Sequence, residues 1–249
     1  MALGSLSNAC AFAEDFSPQA VLDDTKAYFT APLHWETDNW LQFGEALLAI
    51  GVAHEFDGDV RDHFVNGSHA VAGGSDPNNL EEALPAMLLI AGTWTAALIT
   101  QDRNGYTEGG SMLEAAGLSA VSVTLLKLAF GRERPNATSS VDTWFAGGDS
   151  FPSGHVTFAF AVGTVLAESG SDNYRWLRRA LGYGVGAATA YLRMRDNVHW
   201  CSDTVAGATL GIATADFVMA RHEPHEPHVS WQLSPAGGGV MLSFSSTLH

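Results

Sequence analysis

Five apolar stretches constrain what this chain can fold into: Leu84–Thr100, Met112–Phe130, Val156–Ala167, Ala180–Leu192 and Val205–Ala220. All are of helical length and rich in Gly, Ala, Ser and Thr. Most fall short of the ~20 residues that cross a bilayer's hydrocarbon core. Met112–Phe130 is long enough but carries Glu114 and Lys127. We therefore read the five as buried helices of an all-α bundle, with membrane-spanning helices as the rival reading. Gly182-x3-Gly186 and Gly207-x3-Gly211 set small residues one turn apart, which permits close helix contact. Gly182-x-Gly184-x-Gly186 does not fit a dinucleotide-binding fingerprint, and no strand precedes it.

The flanks differ from this centre. Residues 1–36 are mixed and turn-rich, with Pro18 and Pro32, and are expected to form a tail. Within it, Ala11-Phe12-Ala13 resembles the cleavage site of an export signal, although no basic residue precedes Lys26. The helical domain is expected over 37–221. It begins with Trp40, Phe43, Leu47 and Leu48 at helical spacing, capped by Asp38 or Asn39. A short helical turn follows at Val60–Phe64, then a loop over Asn66–Asn79. The next helix, Leu80–Thr100, has Pro85 near its first turn. Gln101–Gly110 reads as a polar connector, Gly131 as a helix stop, and 132–151 as a loop too long to lack a task. Asp172 and Asn173 are candidate caps for the helix through Tyr174–Tyr191. The last part, 222–249, reads as a proline-broken linker and tail. There His222, His225 and His228 sit at a spacing that Pro224 and Pro227 keep off a helix. Val229–Leu233 and Val240–Phe244, either side of Gly237–Gly239, have the make-up of a short β-hairpin.

The net charge is −15, with only 12 Lys and Arg against 27 Asp and Glu. That argues against nucleic acid as a partner, since phosphate backbones require basic stripes. Two cysteines provide no disulfide framework. Against this acidic background, Lys127, Arg132 and Arg134 crowd one window and Arg193 and Arg195 another, which points to a local anion site.

Three windows carry the chemistry. In Lys127-x6-Arg134-Pro135, a helix-end lysine and an arginine held extended by the following proline can converge on one anion. Pro152-Ser153-Gly154-His155 opens a helix, where free amides, a hydroxyl and a glycine that permits close approach suit phosphate, with His155 placed to exchange a proton. In Arg193-x5-His199-x3-Asp203, the last two residues would share a helical face, so that Asp203 fixes the tautomer of His199. By itself this last window suits a nucleophile, a general base, a metal ligand or a structural pair.

Together and in this order, the windows resemble the three-part signature of the type 2 phosphatidic acid phosphatase superfamily. That superfamily also holds bacterial class A acid phosphatases and vanadium haloperoxidases. The resemblance covers Lys127 to Asp203 and departs from the family pattern at Leu192, where the third motif often has serine. It implies an all-α helical bundle and a phosphoric ester hydrolase. Lys127, Arg134 and Arg193 would hold phosphate oxygens, with Ser153 and the Gly154 amide completing the cradle. His199 would attack phosphorus, Asp203 would orient it, and His155 would protonate the leaving group and then activate water. Three cations stand in for metal ions, so no metal or other cofactor is expected. The expected substrate is a phosphate monoester or diphosphate, on a lipid or a small molecule, with association to a membrane surface and a periplasmic or membrane-associated location. Trp144, Phe145 and Phe151 could line a lipid groove or simply anchor their loop. A vanadate-dependent haloperoxidase using the same cradle, or a non-catalytic membrane-associated binding protein, are the alternatives.

Overall fold

Prolines, glycines and short polar side chains mark where each helix starts and stops. The computed structural model describes residues 16–67, 80–170, 174–222, 230–236 and 239–245. Helix α1 (Pro18–Thr30) has Pro18 in its first turn and Ser17 as its cap, the hydroxyl accepting from the Ala20 amide at 3.2 Å. A 3₁₀ turn (Ala31–His34) leads to α2 (Thr37–Glu55), where the Asn39 side chain accepts from the Glu36 amide. The chain bends at Phe56 into α3 (Asp57–Asn66). A second 3₁₀ turn (Leu80–Ala83) precedes α4 (Leu84–Thr100), which has Pro85 in its first turn. Then come α5 (Arg103–Phe130), α6 (Gly154–Glu168), α7 (Arg175–Arg195) and α8 (Cys201–His222). Strands β1 (Ser230–Ala236) and β2 (Gly239–Ser245) pair antiparallel, with Trp231 opposite Phe244. The protein is all-α apart from this hairpin, as expected.

Three sequence expectations are corrected here. Gln101–Gly110 is not a connector: Asp102 caps Asn104 and α5 starts at Arg103, since no proline interrupts the stretch and the Gly109-Gly110 pair is buried inside the helix. Residues 18–34 are not a turn-rich tail. The α1 helix docks on the bundle through Tyr28, whose hydroxyl lies 2.8 Å from Thr214 Oγ1 and accepts from Ser122 at 3.2 Å. His222 belongs to the last turn of α8 rather than to a linker. The Ala-x-Ala site, most of the loop before Leu80, the Asp172 and Asn173 caps, His225 and His228 lie outside the described residues.

The α6 helix is the middle of the packing. Val156, Ala159, Ala161, Val162, Val165 and Ala167 are essentially without exposure. The helices α7 and α8 press on it through glycine. Gly163 and Gly182 meet back to back, and a Cβ on either would overlap the other's carbonyl. A Cβ on Gly207 would lie 2.7 Å from the Ser153 carbonyl, and one on Gly211 2.5 Å from that of Thr157. The small-residue spacing thus brings the start of α8 against the start of α6, and with it the second motif against the third.

The outer helices behave differently. Glu81–Thr100 and Arg103–Phe130 are long and apolar enough to cross a membrane, yet only 11% and 33% of their most apolar windows lie buried. On α4, Leu84, Met87, Leu88, Leu98 and Ile99 are exposed, as are Trp40, Leu41, Leu47 and Leu48 on α2. Leu84–Thr100 is therefore not the buried bundle helix that its composition suggests.

Candidate active site

Lys127 lies in the last turn of α5, which stops at Gly131 in the left-handed conformation (φ 50°). From there the long loop folds back on itself. The amides of Ala146 and Gly148 donate to the Gly131 carbonyl at 2.9 and 3.0 Å, and the Ser150 amide donates to that of Arg132 at 2.9 Å. Gly148 passes so close to the Arg132 backbone that any Cβ would overlap it. Trp144 stacks over the Arg132 guanidinium at 4.3 Å and meets Phe151 edge-on at 5.3 Å. Trp144 and the buried Phe151 thus anchor the loop, while Phe145 is exposed. The lipid-groove alternative survives for Phe145 alone.

The loop carries Arg134 to His199. Arg134 grips Asp149 with two bonds, at 2.7 and 2.9 Å. Its Nη1 donates to the Val198 carbonyl at 3.0 Å and lies 3.3 Å from His199 Nε2. The Lys127 ammonium donates to the Asp149 carbonyl. His199 is buried, and its Nδ1 lies 3.5 Å from Asp203 Oδ2, facing the carboxylate without a formed hydrogen bond. An Nε2 facing a guanidinium must present its lone pair, so the geometry matches a neutral ring with its proton on Nδ1, toward Asp203. Burial above all pushes the pKa of His199 down to about 3, against the pull of Asp203.

The His–Asp pair is not made on one helical face. The α8 helix begins at Cys201, so His199 stands in the preceding turn, where the Val198 and His199 amides donate back to the Arg193 carbonyl. Asp203 sits in the first helical turn and accepts from the Trp200 amide at 2.9 Å and from the Ser150 hydroxyl. Burial opposes its charge, but the facing His199 ring and the Arg132 guanidinium hold its pKa below the ordinary carboxylate value.

Arg132, which no motif position claims, turns out to be central. It is fully buried, donating to Asp203 Oδ1 and Asp57 Oδ2, each at 2.7 Å, and to Ser202 Oγ at 2.8 Å. Asp57 also takes the Ser202 amide and hydroxyl at 2.8 and 2.7 Å. The bend at Phe56 therefore delivers a carboxylate that balances a buried guanidinium, and that guanidinium fixes Asp203. The Gly131-Arg132-x-Arg134 doublet was the available sequence signal, but nothing local to it names Asp57.

The Ser153 amide donates to the Asp203 carbonyl at 3.0 Å, and its hydroxyl is buried without a hydrogen-bond partner, although it stands at the N-cap of α6. Gly154 and His155 follow in the first turn, half-buried. Arg193, in the last turn of α7, is fully buried and bonds Glu82 at 2.8 Å. Lys127 and Arg134 both engage Asp149, and Arg134 also reaches His199, so the first and third windows meet there. Asp149 and Glu82, which answer two of the cations, were missed because each is remote in sequence from its partner.

The candidate site thus combines a helix N-terminus with an unengaged buried hydroxyl at Ser153, the cations Lys127, Arg134 and Arg193, and a buried histidine with a carboxylate behind it. Residues 108–226, a segment that holds all three windows, match the model of the PAP2 superfamily. The lipid A 1-phosphatase of Porphyromonas gingivalis is 34% identical over 111 residues. That match covers 43% of this chain but only 23% of the relative, so the chain is compared with a minor part of a longer protein. No solved structure matches the chain.

Proposed function

We propose that the protein is a metal-independent phosphatase that cleaves a phosphate monoester or diphosphate borne on a lipid, through a phosphohistidine. One observation carries this reading: the Nε2 of buried His199 faces the Arg134 guanidinium while Asp203 stands behind its Nδ1, and burial favours the neutral ring. The Nε2 lone pair attacks phosphorus as the P–O bond to the leaving group breaks, and the proton on Nδ1 stays shared with Asp203. Lys127, Arg134, Arg193, the Ser153 hydroxyl and the Gly154 amide hold the phosphoryl oxygens. His155 gives its proton to the departing oxygen. It then takes one from the water that releases phosphate from His199. Binding exchanges Asp149 and Glu82 for substrate oxygens at Arg134 and Arg193.

The lipid character rests on three supports: the similarity to a lipid A 1-phosphatase, the exposed apolar faces of α2 and α4, and a groove beside Arg193. This groove, of about 470 Å³, is lined by Pro85, Leu181, Val185 and Leu192, with Glu81, Arg195, Asp196 and the Arg193 partner Glu82 on its charged side. Acyl chains in the groove and apolar helices in the bilayer would keep the reaction at a membrane surface.

The test compares wild-type protein with His199→Ala on an aryl phosphate and on a lipid phosphate. We expect a loss on the order of 10³-fold or more in kcat for both, no acid-labile phosphoprotein after quenching, and no effect of chelator on wild-type turnover. Near-normal turnover by the variant would remove His199 as nucleophile. Halide oxidation with vanadate and peroxide, without phosphatase activity, would reassign the cradle to vanadate.

A further inference from the structure

We propose that Asp24, Glu114 and His222 form a divalent-cation site that fastens the N-terminal helix to the bundle, far from the catalytic centre. The three residues come from α1, α5 and α8, and their ligand atoms all lie within 4.8 Å of one another. Each is buried, with side-chain exposures of 5%, 3% and 6%. His222 Nε2 is 2.6 Å from Glu114 Oε2 and 3.4 Å from Asp24 Oδ2. The independent sign of a ligand is Glu114 Oε1, a buried carboxylate oxygen with no hydrogen-bond partner, which is a costly state unless something positive answers it.

The charges favour a cation. Arg221 engages Asp24 at Oδ1, 2.5 Å away, and leaves Oδ2 toward His222. Two carboxylates against one guanidinium leave a net negative charge with the imidazole neutral, the form of histidine that ligates metal. One nitrogen and two carboxylate oxygens suit Zn²⁺ or Mn²⁺ better than Ca²⁺, which takes all-oxygen shells. Phe16 stacks on the His222 ring at 4.3 Å and covers the site. His222 lies nineteen residues beyond Asp203 on the same helix, roughly 28 Å at 1.5 Å per residue. The cation therefore acts on structure and takes no part in the phosphoryl chemistry.

The experiment uses the full chain in detergent, stripped of metal and titrated with Zn²⁺ alone, and reads bound ion per chain and Tm. We expect one ion per chain and, at about 100 times the Kd, a rise in Tm of roughly 5–10 °C. Glu114→Gln and His222→Ala should lose both, while His225→Ala/His228→Ala and the exposed Asp23→Asn keep them. Turnover of an aryl phosphate should stay unchanged with and without the ion, so failure here leaves the phosphatase reading untouched. The proposal is overturned by absence of saturable uptake, or by uptake that survives Glu114→Gln and His222→Ala but falls in the His225/His228 variant. In either case the His222 ring simply joins Asp24 and Glu114 without an ion between them.

Discussion

Helices α6 and α4 are both apolar and of similar length, yet one is buried along most of its sides and the other is largely exposed. What separates them is the size of the residues on facing helices. Gly163, Gly182, Gly207 and Gly211 let the backbones of α7 and α8 close on α6, and each of these contacts excludes a Cβ. The α4 helix carries leucines and a methionine on its outer face, left exposed among the described residues. Close approach of small residues marks the core, and bulky apolar residues mark a surface suited to lipid. The second and third windows meet at the start of α6, where Gly207 lets α8 close on the Ser153 carbonyl. That suits a site whose donors must be held to within a fraction of an ångström.

Substitutions can break this contrast at several depths. The largest effect on stability is expected from Asp57→Ala, which strands the buried Arg132 charge below the α6–α8 junction. A cost of about 3–5 kcal/mol should appear in the denaturant midpoint, with kcat falling as Asp203 loses its support. Gly163→Val comes next, forcing α6 and α7 apart at a cost of roughly 1–3 kcal/mol or more, also measured by denaturant unfolding.

Acid probes the same region. His199 is neutral in the fold with a pKa of about 3, whereas an unfolded histidine titrates near ~6.5. The unfolded chain thus binds more protons between those values, so this contribution to stability is complete above about pH 6.5 and is lost as pH falls toward 3. Asp149, held at about 2 by the Arg134 bond, and the lowered Asp203 act in the same direction below the ordinary carboxylate range. Tm measured against pH should fall steadily on acidification. The acid limb of kcat/KM from His199 should lie near pH 3, not near 6.5.

The smallest effect sharpens the contrast from the other side. Leu88→Ser on exposed α4 should shift stability in detergent by no more than ~0.5 kcal/mol and leave aryl phosphate turnover intact. Partition into lipid vesicles should weaken, and a cost equal to that of a core substitution would show that α4 packs on protein after all.

Much of the site was legible before the fold was known. Residue type, order and spacing single out Lys127, Arg134, Ser153, Gly154, His155, Arg193, His199 and Asp203, and the helix stop at Gly131 and the start at Gly154 hold. The balancing partners were not legible. Asp57 answers Arg132, Glu82 answers Arg193, and Asp24 and Glu114 meet at His222, each across a long stretch of chain that leaves no local pattern. His199 and Asp203 fit helical spacing and do meet, but through a turn, because the helix begins at Cys201.

The sequence by itself determined the helical class and the chemistry-bearing side chains, since both rest on local spacing: apolar runs set the helices, and motif residues a few positions apart share a turn or a loop. Only the tertiary structure decided which apolar helices are core and which face outward, and which carboxylate neutralises which buried cation. Those outcomes depend on burial and on charge balance in a low-dielectric interior. Both are properties of helices brought together and cannot be read along one of them.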